Sequence, residues 1–326
     1  MRRYLGLGLM FLSLAAGTGT SWAQGTTGYD MLRLQTLPRG SSLGGAVAAD
    51  AGSVESVFYN PAGLATLPQR TAGAAYMNYL LDVNSGHLIY ADPRADWGVW
   101  GVSVIYTNYG DFDGRDNNAV ALGEFTASDI IAGVTYARRV GTRAGVGASG
   151  KFIYSDIENY TSHAVAFDLG AQYELLPGDM RLGLGIYNLG VTTQAFVDDP
   201  DDLPLYYRIG ISGNPKGLPA TLYLSATLYQ EYADNYTLDG FGSSLWDFLG
   251  DFYYGFGAEF HPVESFFLRV GYNTEGLDQR VDTRKDAFAG IGAGIGFDFT
   301  IARLDIGLAS QGELGMVQRI AVSAGF

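Results

Sequence analysis

The chain has 326 residues, carries 20 Lys and Arg against 34 Asp and Glu for a formal net charge of −14, and is 47% hydrophobic with 46 glycines. An acidic surface of this kind repels nucleic acid, so no nucleic-acid partner is expected. Zero cysteines exclude a disulfide framework, a thiol nucleophile and a thiolate metal site.

The first element is a leader. Arg2 and Arg3 precede an apolar run from Leu5 to Ala16, and Ser21-Trp22-Ala23 supplies a small-residue cleavage pattern before Gln24. Residues 1–23 read as a secretory signal, whose apolar core falls short of the roughly 18 residues of a spanning helix. Its removal takes away only Arg2 and Arg3 of the 20 basic residues, leaving 18 against 34 acidic, or −16.

Residues 24–69 have a different texture, rich in Gly, Ala and Ser, and contain Asn60-Pro61-Ala62-Gly63-Leu64. Asn-Pro opens a turn and the following glycine permits tight backbone. The stretch is expected to be a partly helical, non-barrel plug or hatch, with Asn60, Pro61 and Gly63 forming a plug turn rather than a ligand site.

From residue 70 to 326 the sequence breaks into about fourteen strand-like segments, near 71–81, 84–92, 97–108, 127–140, 142–156, 161–175, 180–190, 205–213, 218–231, 251–262, 265–274, 286–299, 301–310 and 317–326. Most have the roughly ten residues that a tilted strand needs to cross hydrocarbon. In 161–175, Val165, Phe167, Leu169, Ala171, Tyr173 and Leu175 oppose Ser162, Ala164, Ala166, Asp168, Gly170, Gln172 and Glu174. In 286–299, Ile291, Ala293, Ile295 and Phe297 oppose a row of glycines and Asp298, which leaves room for something to approach the wall. The last strand places Ile320, Val322, Ala324 and Phe326 on one face, with Phe326 as the barrel-closing terminal residue.

A soluble sandwich also alternates. Connection lengths favour a barrel: short links (91–96, 141–142, 176–179, 214–217, 261–264, 300) alternate with longer ones (110–126, 157–160, 191–204, 232–250, 275–285, 311–316), as short periplasmic turns and long outer loops require. Acidic clusters (Asp111/Asp113/Asp116, Asp198/Asp199/Asp201/Asp202, Asp278/Asp282) fall in the long links. Tyr76, Tyr79, Trp97, Trp100, Tyr106, Tyr109, Tyr206 and Tyr207 near strand ends suit an interfacial girdle. The expected fold class is all-β transmembrane: an antiparallel outer-membrane β-barrel of about 14 strands with an N-terminal plug, embedded in outer-membrane lipid, both termini periplasmic.

The alternation turns Arg143, Lys151, Asp168, Glu174, Arg181, Glu259, Arg269, Asp298, Arg303, Asp305 and Arg319 toward the lumen. Arg143, Glu174, Arg181, Glu259, Asp298 and Arg303 sit beside short turns and should ring the periplasmic mouth. Mixed signs point to an interior ion-pair network ahead of a gate or a dock for the plug, and no single sign marks an ion-selective pore.

Enzymatic signals are weak, and no cofactor is expected. Gly40-Ser41-Ser42-Leu43-Gly44 fits G-x-S-x-G, but such an elbow needs a strand, a helix and a partnered histidine. His87, His163 and His261 are scattered, without metal-ligand spacing. Asp111 to Asn117 looks like a calcium loop, but its glycine comes too early and the twelfth-position Glu is missing. A solvated acidic loop is the expectation there, with a loosely held divalent ion as the alternative.

Residues 40–64, with Ala48-Ala49-Asp50-Ala51-Gly52 ahead of Tyr59-Asn60-Pro61-Ala62-Gly63-Leu64, resemble the N-terminal region of FadL-like barrels. That superfamily has about fourteen strands and an N-terminal hatch, and includes transporters of hydrophobic compounds. The blocks 76–84, 106–113, 123–129 and 151–162 resemble the PorQ branch of the PorV/PorQ family, which implies an outer-membrane component of the type IX protein secretion machinery. The acidic loops 191–204 and 275–285 are not recognisably shared with it. The first expectation is therefore a plugged barrel that holds secretion-system or cell-surface proteins. The alternative is a FadL-like transporter of hydrophobic small molecules, for which Phe241, Leu245, Trp246, Phe248 and Leu249 offer an apolar run at the mouth. A loop helix lying at the membrane interface explains that run more simply.

Overall fold

The computed structural model describes residues 29–95, 97–115, 118, 120–197, 200–230, 249–278 and 288–326. The expected signal segment, Asp116, Asp198, Asp199, Asp282, and Phe241, Leu245, Trp246 and Phe248 lie outside the described residues.

Fourteen strands follow one another: β1 (Thr71–Asn78), β2 (Asn84–Arg94), β3 (Gly98–Arg115), β4 (Ala121–Val140), β5 (Ala144–Ile157), β6 (Tyr160–Leu176), β7 (Met180–Gln194), β8 (Tyr206–Gly213), β9 (Ala220–Tyr229), β10 (Tyr253–Val263), β11 (Phe266–Asn273), β12 (Ile291–Asp298), β13 (Arg303–Ser310) and β14 (Met316–Gly325). Each pairs antiparallel with the next in the chain, and β1 pairs with β14 to close the barrel, Thr71 facing Gly325 and Asn78 facing Gln318. Closure leaves no sheet edge, which a lipid-embedded sheet requires because hydrocarbon cannot satisfy free backbone groups.

The two-residue period sorts the side chains. Phe167, Leu169, Leu224, Ile320 and Val322 are exposed on the outer wall. Their neighbours Ala166, Asp168, Tyr223, Ser225, Arg319 and Ala321 are buried inside. Phe326 stays on the outside, its ring stacked on Tyr90 at 6.4 Å and its backbone N–H bonded to Arg70 O at 2.9 Å. Trp100 packs on Tyr136 at 4.7 Å on the same outer wall.

Three expectations change. Residues 110–115 and 121–126, read as a long loop, continue β3 and β4 as a hairpin, Asp111 facing Thr126 and Asp113 facing Glu124. Two of the acidic residues there are thus strand residues. The 157–160 link is a tight turn of Glu158 and Asn159 between β5 and β6. Tyr206, assigned to the girdle, is buried inside the barrel and stacked on Tyr187 at 4.6 Å.

Residues 29–70 thread the lumen. A 3₁₀ turn (Asp30–Arg33) leads to α1 (Pro38–Ser42), then α2 (Ser56–Tyr59) and a second 3₁₀ turn (Pro61–Thr66). Leu37, Leu43, Val47, Val54, Val57 and Leu64 are buried against Ile89, Val99, Ala137 and Tyr223 of the wall.

Because Phe167 faces outward near the middle of β6, Phe167→Arg should destabilise the lipid-embedded barrel by about 2–4 kcal/mol, the cost of a cation near the bilayer midplane. Urea unfolding in vesicles would measure it; an unchanged midpoint would show that this face does not contact lipid.

Candidate functional site

The site is the plugged lumen, and its construction starts with glycine. Inward-facing Gly147, Gly170, Gly183, Gly255, Gly271 and Gly292 lie on six different strands. A Cβ at any of them would run into plug atoms: Pro61 at Gly147, Asn60 Oδ1 at Gly170, Ala48 O at Gly183, Gly44 at Gly255 and Gly271, Ser41 O at Gly292. The plug backbone therefore rests directly on the wall, which no larger residue would permit.

Backbone this deep must find its hydrogen bonds in the wall. Gln172 Nε2 donates to Ala48 O at 3.1 Å and Asp50 O at 2.6 Å, and Ser212 Oγ donates to Ala49 O at 3.1 Å. Asn60 does more than cap. Its Oδ1 accepts from Ala62 N at 3.1 Å, while its Nδ2 donates to Ala48 O at 2.7 Å and to Leu184 O of β7 at 3.2 Å. Pro61 opens the 3₁₀ turn and Gly63, packed against Asp50 O and Ser56, leaves no room for a side chain.

Arg39 of α1 is the ionic centre. It grips Glu259 of β10 with two hydrogen bonds, at 3.0 and 3.1 Å, donates to Tyr223 Oη at 3.0 Å, and pairs with Asp50 of the plug. Glu259 also receives Arg269 at 2.6 Å; Arg269 reaches Asp305 at 2.6 Å, and Arg303 reaches Asp305 at 2.9 Å. Burial disfavours the Arg39 cation, but Asp50 and Glu259 outweigh it and hold its pKa well above the ordinary value.

Of the six charges expected at the mouth, Glu259 and Arg303 belong to this network. Glu174 and Arg181 form a separate pair at 3.0 Å. Arg143 is exposed in the β4–β5 turn and Asp298 is exposed at the end of β12. Arg39 itself, the residue that ties wall to plug, was missed: it lies outside the strand alternation used to sort the charges, and its own segment carries no period.

Polar vestibules of about 180 and 300 Å³ flank the network at the short-turn end. The first is lined by Arg39, Asp50, Glu174, Arg181 and Tyr223. The second is lined by Glu55, Gln69, Asp298, Arg303 and Asp305.

On the other side of the plug an apolar cluster adjoins a polar stretch of wall, Ser103, Thr135, Ser149 and the Lys151–Asp168 ion pair at 2.7 Å. Met31 packs with Ile105, Ile131, Ile153, Ala164, Ala166 and Leu203, with Leu32 and Phe58 against them. The cavity left there is about 60 Å³. A single benzene ring needs about 150 Å³, so this compartment is closed around its own side chains.

The wall beside the compartment is interrupted. Tyr187 and Asn188 of β7 both point inward opposite Asp168, a β-bulge with Asn188 at φ 60°. The β7–β8 ladder stops at Tyr187 and Tyr206. Beyond it the seam is closed by the link before β8: Asn188 Nδ2 donates to Pro204 O at 3.0 Å, Thr192 Oγ1 donates to Asp201 O at 2.5 Å, and Leu203 fills the inside. Along the inner wall Tyr187, Tyr206, Tyr229 and Tyr253 form a row of contacting rings, with Arg208 over the first two and Arg33 over the third.

Other expected features do not assemble into a site. Ser42 Oγ is taken up by Pro38 O and Ala293 O. The histidines lie on β2, β6 and β10. Leu249 is the one member of the apolar loop run among the described residues, and it is exposed.

Two substitutions should undock the plug while the barrel still forms: Gly183→Leu, which collides with Ala48 O, and Arg39→Ala, which strips Asp50 of its ion partner and removes two bonds from Glu259, a change worth about 3–5 kcal/mol for a broken buried pair. Proteolysis of the folded protein from the short-turn side should then cut within residues 44–66. Glu174→Gln, outside the network, should leave those residues protected.

No protein-family model and no curated protein matches the sequence. Solved structures do match in fold. The Ralstonia pickettii toluene transporter TbuX aligns over 89% of this chain and 98% of its own, with 14% identity and a TM-score of 0.60. The Pseudomonas putida toluene transporter TodX aligns over 89% and 97%, with 12% identity and a TM-score of 0.59. A Pseudomonas aeruginosa FadL homologue aligns over 89% and 98%, with 10% identity and a TM-score of 0.54. The chain thus has the FadL-like fold: a closed, antiparallel, fourteen-stranded outer-membrane-type barrel with helical segments inside.

Proposed function

We propose that the protein passes hydrophobic small molecules across the outer membrane, entering at the loop end and leaving through the β7–β8 seam into the bilayer. The supporting observation is the division of the lumen. On the loop side Met31, Ile105, Ile131, Ile153 and Leu203 form an apolar cluster beside the Lys151–Asp168 pair, while the way down is filled by a plug hydrogen-bonded to β6 through β10 and to β12. An apolar molecule loses its favourable environment in a channel filled by Arg39, Glu259 and Asp305. Sideways, the seam beside Leu203 shows no ladder hydrogen bonds among the described residues. The fold shared with two toluene transporters agrees with this route.

The orientation follows from the short turns, which lie with both chain ends at the periplasmic side in barrels of this kind. Residues 1–23 would then be the exported chain's signal and residues 24–69 its hatch. The protein needs no catalytic group for this task.

A second reading, a surface anchor within a type IX secretion machinery, draws on one feature. Two of the blocks that resemble PorQ, 106–113 and 123–129, build the β3–β4 hairpin. Beyond Asn108 and Ala127 this hairpin has no neighbouring strands, so it stands roughly 20 Å above the rim. Phe112 and Phe125 stack near its tip at 5.3 Å. Stable co-purification of a surface protein that is lost when residues 110–125 are shortened would move the assignment to this reading.

The transport reading is tested by closing the exit. Because the chain has no cysteine, Thr192→Cys with Asp201→Cys introduces a single reducible staple across the seam. Cells bearing the stapled protein should accumulate toluene at low external concentration no faster than cells lacking it, and reductant should restore uptake. Unimpaired uptake through a fully oxidised staple would rule out the seam, and equal uptake with and without the wild-type protein would rule out transport.

A further inference from the structure

We infer that Glu55 is a proton-operated latch: its protonated form holds the plug in the lumen, and its ionisation releases it. The inference rests first on how charges are matched. Around Arg39, the carboxylates of Asp50, Asp305 and Glu259 are ion-paired with one, two and all three of Arg39, Arg269 and Arg303, respectively. Glu55, on the same plug and equally buried, has no ion pair among the described residues; its one side-chain partner is Tyr59 Oη, which donates at 3.1 Å and itself accepts from Gly40 N at 2.9 Å.

The charged and titratable groups around Glu55 come from several elements. Arg39 and Tyr59 of the plug, Arg269 of β11, and Arg303 and Asp305 of β13 act on it directly; Asp50 of the plug and Arg319 of β14 act on its partner Tyr59, and Glu259 of β10 is held by Arg39 and Arg269. Three arginines are already committed to three carboxylates, and Arg319 makes no ion pair among the described residues, so an ionised Glu55 would have no ion-pair partner. A protonated Glu55 removes that unpaired charge without breaking any pair.

Geometry also supplies the proton's path. Glu55 lines the 300 Å³ vestibule at the short-turn end, together with Ser53, Gln69 and Thr71, so exchange with the aqueous phase does not require the plug to move first. Its place just before α2 puts it in direct contact with the piece that would move, since the Phe58 N–H bonds to the Glu55 carbonyl at 2.9 Å.

Burial, with Asp305 adding to it and Arg39, Arg303 and Arg269 opposing, raises the Glu55 pKa from 4.5 to about 7. A carboxyl that binds its proton more tightly when docked than when solvated favours docking wherever it is protonated. Docking is thus strongest below the solvated value and weakens as pH rises toward the docked value, by about tenfold per pH unit between them, since one unit is one decade in the equilibrium. Above about 7 the loss is complete and the dependence flattens.

The test uses the full chain in vesicles, with a thiol introduced by Val47→Cys, a plug position with no exposure. A second protein carries Thr142→Cys in the exposed β4–β5 turn and corrects for the thiol's own titration. The ratio of maleimide labelling rates at 47 and 142 should climb about tenfold per unit from pH 5 to 7 and then level off. In Glu55→Gln the ratio should stay at its low-pH value throughout. A flat wild-type ratio, or an unchanged slope in Glu55→Gln, overturns the latch. If Glu55→Gln does not give a folded barrel, Tyr59→Phe serves instead: losing the donor to the carboxylate disfavours its ionised form and should move the midpoint to higher pH, and an unmoved midpoint overturns the latch as well. The readout needs no cargo, so its failure is separate from failure of the transport reading.

Discussion

Polypeptide placed inside a barrel has the lumen wall, and little else, to satisfy its polar groups. That constraint organises this structure. The plug carbonyls of Ala48, Ala49 and Asp50 reach Gln172 and Ser212 only because Gly183, Gly170 and their counterparts let the two backbones come together. With any side chain at those positions the distance would open and each carbonyl would be left dry, at a cost of about 1–3 kcal/mol apiece. Glycine is a poor strand residue; its repetition along the inner faces of β5 to β8 and β10 to β13 makes sense as space reserved for a second backbone.

Arg39 follows from the same constraint. A guanidinium offers five donors in a fixed fork, and here it meets a carboxylate from the wall, a carboxylate from the plug and a wall tyrosine at once. Buried ion pairs add little net stability over apolar packing, but they penalise misplacement severely. The network is best understood as fixing where the plug sits rather than how tightly the barrel folds. It also explains why excess charge matters: in a group of paired ions without bulk water, one unmatched carboxylate is enough to bias the whole assembly.

Much of the barrel was legible because its signal is a strict two-residue period imposed by two different solvents. Phe167, Leu224 and Ile320 are apolar for lipid, Asp168, Tyr223 and Arg319 face the interior, and no tertiary detail is needed to sort them. The β3–β4 hairpin was not legible, since beyond the membrane both of its faces meet water and the alternation fades at Asp111 and Asp113. Tyr206 was misplaced for a related reason: an aromatic residue near a strand end fits an interfacial girdle as well as an interior stack, and only the register with Tyr187 distinguishes them. The glycine row of β12 did signal an approaching partner. Arg39 carried no such mark, because a charged residue in an aperiodic segment gives no indication of which wall it faces.

The remaining tension is between a plug this well fixed and the transport proposed for the barrel. If passage required the plug to leave, several wall hydrogen bonds and the Arg39 pairs would have to break together, and each buried charge so exposed would need water the apolar compartment does not supply. Movement past Leu203 demands far less. Among the described residues the seam there is held by side-chain contacts of Asn188 and Thr192 to the link, and the bulge at Tyr187–Asn188 has already turned the strand away from its neighbour. Opening it exposes Leu203, Ile153 and Ala164 to lipid tails, which are as apolar as the interior they leave, so the hydrophobic cost nearly vanishes. The same physics that makes the plug a barrier to ions and water makes the side wall the easy direction for an oily solute, and under the proposed route it separates two tasks, sealing by the plug and conduction by the seam.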